Sequence, residues 1–404
     1  MPFADHRPDP ADLDRFRSLC GAKRWSSRLS EIGQRAAGSS LSGRATQQRH
    51  ALELILARLS DPSALARATP AERRITAFAK EAVKLAATLP APSRARLRAR
   101  IEAGLTGEAT LVPLFHLLRS AALHRARGFE VAFTGLAEET PWDLVIRRDG
   151  AEAEVSCDTV SAEEGRQVHR GDWYQLVDRV NPDLQTWLAA HPGRYLLKMT
   201  LPEGMADATR VAGLHRRITE MLQAERRQDS SADAVLKLDP LVLAGAQAAG
   251  QGLPAQLRAQ FGEEAHLAVT AAPKGAPGGG SVFVMAARAG RENAIAEAAA
   301  RRMELAAAAR LSGRRPGILS IFLDDLDRGE WRSLRERMEL EGAARRWMTG
   351  PAARPVAAVA CSSRMELFGM APPDAAEGGE LRFRNPGHPA AKSPALAPAI
   401  VSTN

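Results

Sequence analysis

Apolar residues recur at intervals of three and four along the first hundred positions. In ATQQRHALELILARLS, Leu52, Ile55, Leu56 and Leu59 fall on one helical face. TPAERRITAFAKEAVKLAATLP opens with Thr69 as N-cap, Pro70 at the first helical position and Glu72 three residues after the cap, and it stops before Pro90. That arrangement predicts a helix with a capping box. PSRARLRARIEAGL predicts a short basic helix, and a further helix is expected from Thr106 to Gly128, where glycine suits a C-terminal cap. The period then falls to two. FEVAFT alternates as a strand does. WDLVIRRDGAEAEVSCDTVS, residues 142–161, predicts two strands joined at Asp149-Gly150. On the second, Ala153, Val155 and Cys157 share one face, and Glu154, Ser156 and Asp158 share the other. A helix capped by Ser161 and Glu164 should follow, then a strand in GRYLLKMTLP.

Beyond residue 202 the pattern predicts a helix in ATRVAGLHRRITEMLQAERR, strands in AVLKLDPLVL, AHLAVTAAP and SVFVMAAR, and a long helix in ENAIAEAAARRMELAAAARL. A strand in PGILSIFL, a helix in DRGEWRSLRERMELEGAARRW and a strand in PVAAVACSS complete it. Asp327 with Glu330 has the spacing of another capping box. KGAPGGGS, without a following helix or a GK[ST] end, is expected to be a loop. The class is α/β with a helical N-terminal region. The expected divisions are a basic helical region at 1–105, an α/β domain at 106–385 with its core at 106–202 and an extension at 203–385, and a disordered Pro/Ala-rich tail at 386–404.

Charge changes this picture at one end. The formal net charge is +8, and residues 1–110 hold 19 Lys and Arg against 11 Asp and Glu, so the whole excess lies in the N-terminal quarter. A basic region attracts nucleic acid through phosphate contacts, and equally forms a solvated helix face. Arg94, Arg96, Arg98 and Arg100 make one helix surface cationic. The three cysteines, Cys20, Cys157 and Cys361, are widely spaced and odd in number, which points to a reducing, cytoplasmic setting. No run of 18 apolar residues predicts a membrane span, and MPFADHRPDP does not read as a signal peptide.

The candidate chemistry sits on the polar face of the hairpin. Asp143 begins its first strand, Glu154, Ser156 and Asp158 line its second, and Glu108 is expected in the first turn of the preceding helix. Over residues 106–202 this order of elements, with PWD followed by EVSCDTVS, resembles the core of the PD-(D/E)xK, or restriction-endonuclease-like, nuclease superfamily. The resemblance implies a mixed sheet flanked by helices. It also implies a Mg²⁺-dependent phosphodiester hydrolase, in which paired carboxylates hold the metal and a lysine assists the attacking water. The first aspartate of that pattern matches Asp143. Its second carboxylate and its lysine fall at Ser156 and Asp158, a weak ligand and a charge of the wrong sign.

A rearranged site would use Asp143, Glu154 and Asp158, with Lys198 or Arg166 supplying the cation and Glu108, Asp143 and Asp158 holding Mg²⁺. Arg166, His169 and Arg170, after the hairpin, join the four helix arginines as candidate phosphate contacts. Three functions follow as expectations. The leading one is a nucleic-acid-binding protein, for DNA in preference to RNA, on a nuclease-derived domain whose catalysis is impaired. The second is an active Mg²⁺-dependent DNA endonuclease with a rearranged site. The third is a non-catalytic scaffold that binds a partner.

Overall fold

The computed structural model describes residues 8–38, 40–241, 256–258, 261–262, 264–271 and 280–403 of the 404. KGAPGGGS and the end of AVLKLDPLVL lie largely outside the described residues. Two compact units are present, one formed by residues 1–35, 47–164 and 295–404 and the other by residues 36–46 and 165–294.

Among the described residues eight helices precede the first strand, and the first seven are α1 (Pro10–Cys20), α2 (Ala22–Arg35), α3 (Leu41–Arg49), α4 (Ala51–Arg58), α5 (Pro62–Ala66), α6 (Pro70–Thr88) and α7 (Ala91–Gly104). The Thr69–Glu72 capping box is formed in both directions at the start of α6. The next helix, α8 (Val112–Ala126), begins six residues later than Thr106, behind Pro113 at its first turn, so Glu108 sits in the turn before it. α8 is buried on almost every side, because α6 and α7 cover one flank and the sheet covers the other. It therefore carries polar groups into the core, among them His116, Arg119, Ser120 and His124.

The first unit is built on a six-stranded mixed sheet in the order β1-β2-β3-β9-β10-β11. Its strands are β1 (Glu130–Ala132), β2 (Leu144–Arg148), β3 (Ala151–Ser161), β9 (Gly317–Asp324), β10 (Val356–Ser363) and β11 (Leu381–Arg384). β1, β2 and β3 form an antiparallel meander, β3 runs parallel to β9 and β9 parallel to β10, and β11 closes the edge antiparallel. The β2–β3 turn has the expected two residues, with Asp149 at φ 49° and Gly150 at φ 76°. β9 and β10 are buried along both faces, as central parallel strands must be.

α8 packs on one face with Leu144, Ile146, Ala153, Val155, Ile318 and Phe322. α12 (Ile295–Arg310), α13 (Arg328–Glu336) and α14 (Glu339–Met348) cover Val160, Leu319, Ile321 and Val359 on the other. Asp327 and Glu330 make the expected capping box on α13. Ser161 ends β3 and caps only a 3₁₀ turn over Ala162–Gly165, not the long helix expected: its Oγ accepts from Glu163 N at 3.2 Å and its amide donates to Glu164 Oε1 at 3.4 Å. Residues 386–403 are packed, not loose: a 3₁₀ turn (Pro389–Lys392) and a short helix (Ala397–Ile400) bring Leu396, Ala399 and Ile400 into the core beside β10.

The second unit has its own five-stranded sheet in the order β5-β6-β4-β8-β7. It contains β4 (Arg194–Leu201), β5 (Gln228–Ser230), β6 (Val235–Pro240), β7 (His266–Ala271) and β8 (Val282–Ala289), with α10 (Arg170–Ala190) and α11 (Ala208–Gln223) on one face. β4 therefore pairs with β6 and β8, and the span 106–202 does not make one sheet. Strand order along the chain cannot reveal this, because a βαβ reading and an inserted sheet share the same local pattern. Ala294 donates its amide to the carbonyl of Gly165 at 2.7 Å, so the unit's long segment starts and ends at hydrogen-bonded neighbours. No described helix is long and apolar enough to cross a membrane.

Candidate functional site

The hairpin places its polar face as the alternation requires. Val145 lies opposite Glu154 and Leu144 opposite Val155. Residues opposite one another on paired strands share a face, so Asp143, Glu154, Ser156 and Asp158 all project toward the α12 side. Ala153 and Val155 point the other way, into the core with α8. Cys157 follows them, and burial, then the Asp143 carboxylate, pushes its thiol pKa up, which suits packing and not nucleophilic attack.

Asp143 is fixed from several sides. Its amide donates to Val155 O at 3.0 Å, and its carbonyl accepts from Gly135 N at 3.1 Å. Gly135 belongs to α9 (Thr134–Ala137), and a Cβ there would stand 2.7 Å from Trp142 O and 3.1 Å from Asp143 Cα. Only glycine permits this approach. Gly135→Ala is expected to cost about 2 kcal/mol by overpacking against backbone. An unchanged urea midpoint would show that α9 yields without cost.

The carboxylate of Asp143 is engaged on both oxygens. Oδ1 meets Arg100 Nη1 at 2.8 Å. Oδ2 meets Arg310 Nη2 at 2.6 Å and accepts the Cys157 amide at 2.8 Å. Arg310 also donates to Cys157 O at 2.9 Å and approaches Asp158 Oδ1 to 3.9 Å. Asp158 accepts from the Thr159 amide at 2.8 Å and has Arg302 at 4.0 Å. Glu154, fully buried, accepts from Ser312 N at 2.9 Å and Ser312 Oγ at 2.6 Å, with Arg315 at 3.7 Å. Ser156 is also buried, and its hydroxyl has no partner among the described residues. Asp143 and Asp158 are thus brought together, but through the Arg310 guanidinium.

The remaining expected residues go elsewhere. Glu108 is exposed and paired with Arg35. Lys198 belongs to the second unit, where its Nζ meets Asp239 at 3.1 Å. Among the described residues no group of three or more His, Cys, Asp or Glu could hold a metal ion, so Glu108, Asp143 and Asp158 do not assemble as a ligand set. With Asp143 held by two cations and Glu154 by Ser312, the donor set does not fit a hard dication that needs a shell of oxygens.

The arginines of α7 are mostly occupied as well. Arg94 donates to Leu89 O at 3.1 Å; Arg96 donates to Leu136 O at 2.7 Å and Ala137 O at 3.0 Å and pairs with Glu139; Arg100 holds Asp143. Of the four, Arg98 is the exposed one. In the second unit Arg166 is buried, His169 is the N-cap of α10 with Asp172 at 3.7 Å, and Arg170 opens that helix.

Sequence reasoning missed Arg302, Arg310 and Ser312. Two arginines eight positions apart on an alanine-rich helix were a signal for a cationic face held close to a sheet. The partner of that face lies about 150 positions earlier, across the inserted unit, and no local spacing connects them. Comparison of the chain with protein-family models, curated proteins and solved structures finds no match.

Proposed function

We propose that this chain is a nucleic-acid-binding protein on a restriction-endonuclease-like core that does not cleave. The element order supports the core: α8, the β1-β2-β3 meander, then α12 and β9 parallel to β3, with the second unit inserted between β3 and α12. The observation that carries the loss of cleavage is the pair of guanidinium groups on Asp143. A nuclease of this kind needs a dication against that carboxylate, and two arginines in charge-assisted contact hold it instead. The charge reversal at Asp158 and the serine at position 156 agree with this reading. Binding rests on the basic excess of the N-terminal quarter.

The second reading, a non-catalytic scaffold for another partner, is favoured by the internal use of Arg94, Arg96 and Arg100. Fluorescence anisotropy of labelled duplex DNA across a salt series, with a parallel cleavage assay in Mg²⁺ and Mn²⁺, separates the readings. Salt-sensitive binding with intact DNA is expected, and a steep fall of log K against log salt identifies phosphate contacts. No binding at low salt leaves the scaffold. Metal-dependent cleavage that disappears in Asp143→Asn overturns the proposal in favour of an active endonuclease.

A further inference from the structure

A separate cavity of about 240 Å³ lies in the first unit, away from the hairpin's acidic face, lined by Arg74, Phe78, Arg119, Leu123, Arg127 and the Gly378–Gly379 turn. Three guanidinium-bearing residues and no carboxylate line it. Two of the arginines are engaged: Arg127 pairs with Glu380 at 2.7 Å, and Arg74 donates to Glu366 O at 3.4 Å. Arg119 differs. It is 4% exposed, its Nη2 donates to Gly379 O, and its buried Nη1 has no partner among the described residues. The nearby carboxylates are committed elsewhere. Glu380 also faces Arg382 at 3.7 Å, and Glu366 accepts from Trp331 Nε1, Ser363 and the Ala376 amide.

We propose that this cavity binds a small organic oxyanion, a carboxylate or phosphate monoester carrying one short apolar or aromatic group. A buried cation with an idle donor is costly unless an anion completes it. The guanidinium fork is shaped for two oxygens of one carboxylate or phosphate. Phe78 and Leu123 offer an apolar wall for the rest of the ligand. The size sets a limit, since the cavity is smaller than those that hold drug-sized molecules. Gly378 and Gly379 have φ of 68° and 89°, and a Cβ on Gly379 would stand 3.2 Å from Arg119 Nη2, so the turn keeps side chains away from the guanidinium.

Calorimetric titration of the full chain tests this with phenyl phosphate, benzoate, inorganic phosphate and benzyl alcohol. Saturable one-to-one binding is expected for phenyl phosphate or benzoate, weaker binding for inorganic phosphate and none for benzyl alcohol. The stronger of the first two names the head group. Arg119→Met should lower the association constant about tenfold or more, as expected for loss of a charge-assisted contact to a buried anion. Arg74→Gln, at a half-buried position, should lower it by about threefold, and carries the test if Arg119→Met does not fold. Absence of saturable binding by both aromatic anions at millimolar concentration overturns the proposal. So does wild-type affinity in the folded variants, or binding of benzyl alcohol as tight as that of phenyl phosphate.

Discussion

Lowering the pH from 7 to 4 is expected to unfold the first unit, and two histidines of α8 supply much of the driving force. His116 is fully buried, with Nε2 against Ser320 O at 2.9 Å; His124 is 4% exposed beside Phe129. Burial holds both neutral and lowers their pKa values from 6.5 to about 4. As pH falls below 6.5 the unfolded chain takes up these protons while the folded chain does not, so stability is lost between 6.5 and about 4. At about 1.4 kcal/mol per pH unit, each histidine costs about 3 kcal/mol across that window.

His50 adds to the loss. Burial and the surrounding Arg28, Arg35 and Arg49 lower its pKa to about 3. Glu53 works the other way, since burial raises its pKa and the folded state gains from its protonation. The histidines dominate, and a loss of about 6 kcal/mol rivals the whole stability of an ordinary domain. Urea midpoints measured at pH 7.5, 6, 5 and 4 should fall steeply. His124→Leu should flatten the fall by about half. A midpoint that stays level down to pH 4.5 would mean that these imidazoles are not buried and neutral.

Removing the Asp143 carboxylate gives the second large effect, and its sign separates two pictures of the site. In an unoccupied metal cluster the acidic groups repel one another, so Asp143→Ala would raise stability. Here it leaves Arg310 and Arg100 without their anion. The expected cost is about 3 kcal/mol, the low end for a broken buried ion pair, because the two arginines keep 27% and 37% of their side-chain exposure. The double variant Asp143→Ala with Arg310→Met should recover part of this, and a thermodynamic cycle should show coupling of about 1–2 kcal/mol. Stabilisation by Asp143→Ala would restore the metal-site picture.

Local chemistry was legible wherever a short stretch determined it. The Thr69 and Asp327 capping boxes, the Asp149-Gly150 turn and the alternation of β3 all follow from neighbours within a few residues. The acidic face was readable for the same reason, but its counter-ions were not. Arg100 comes from a helix that looked like a phosphate-facing surface, and Arg310 and Ser312 come from beyond the inserted unit. Lys198 shows the converse error: it follows the hairpin in sequence, yet its strand joins another sheet. The packed tail escaped because Leu396, Ala399 and Ile400 are too few to form a periodic pattern, and only tertiary contact orders them.

The hydrogen-bonded ends of the second unit bear on how the first unit's central ladder can close. Glu154 pairs with Gly317, 163 positions later. Closing so long a loop from an open chain is entropically expensive. Once residues 165–294 have folded, Gly165 and Ala294 are neighbours and the effective loop shrinks to roughly 35 residues. That saves about 1 kcal/mol of closure entropy and lowers the effective contact order of the β3–β9 pairing. The inserted sheet thereby acts as a kinetic clasp, and the order of events favours its folding before the sheet that frames the acidic face.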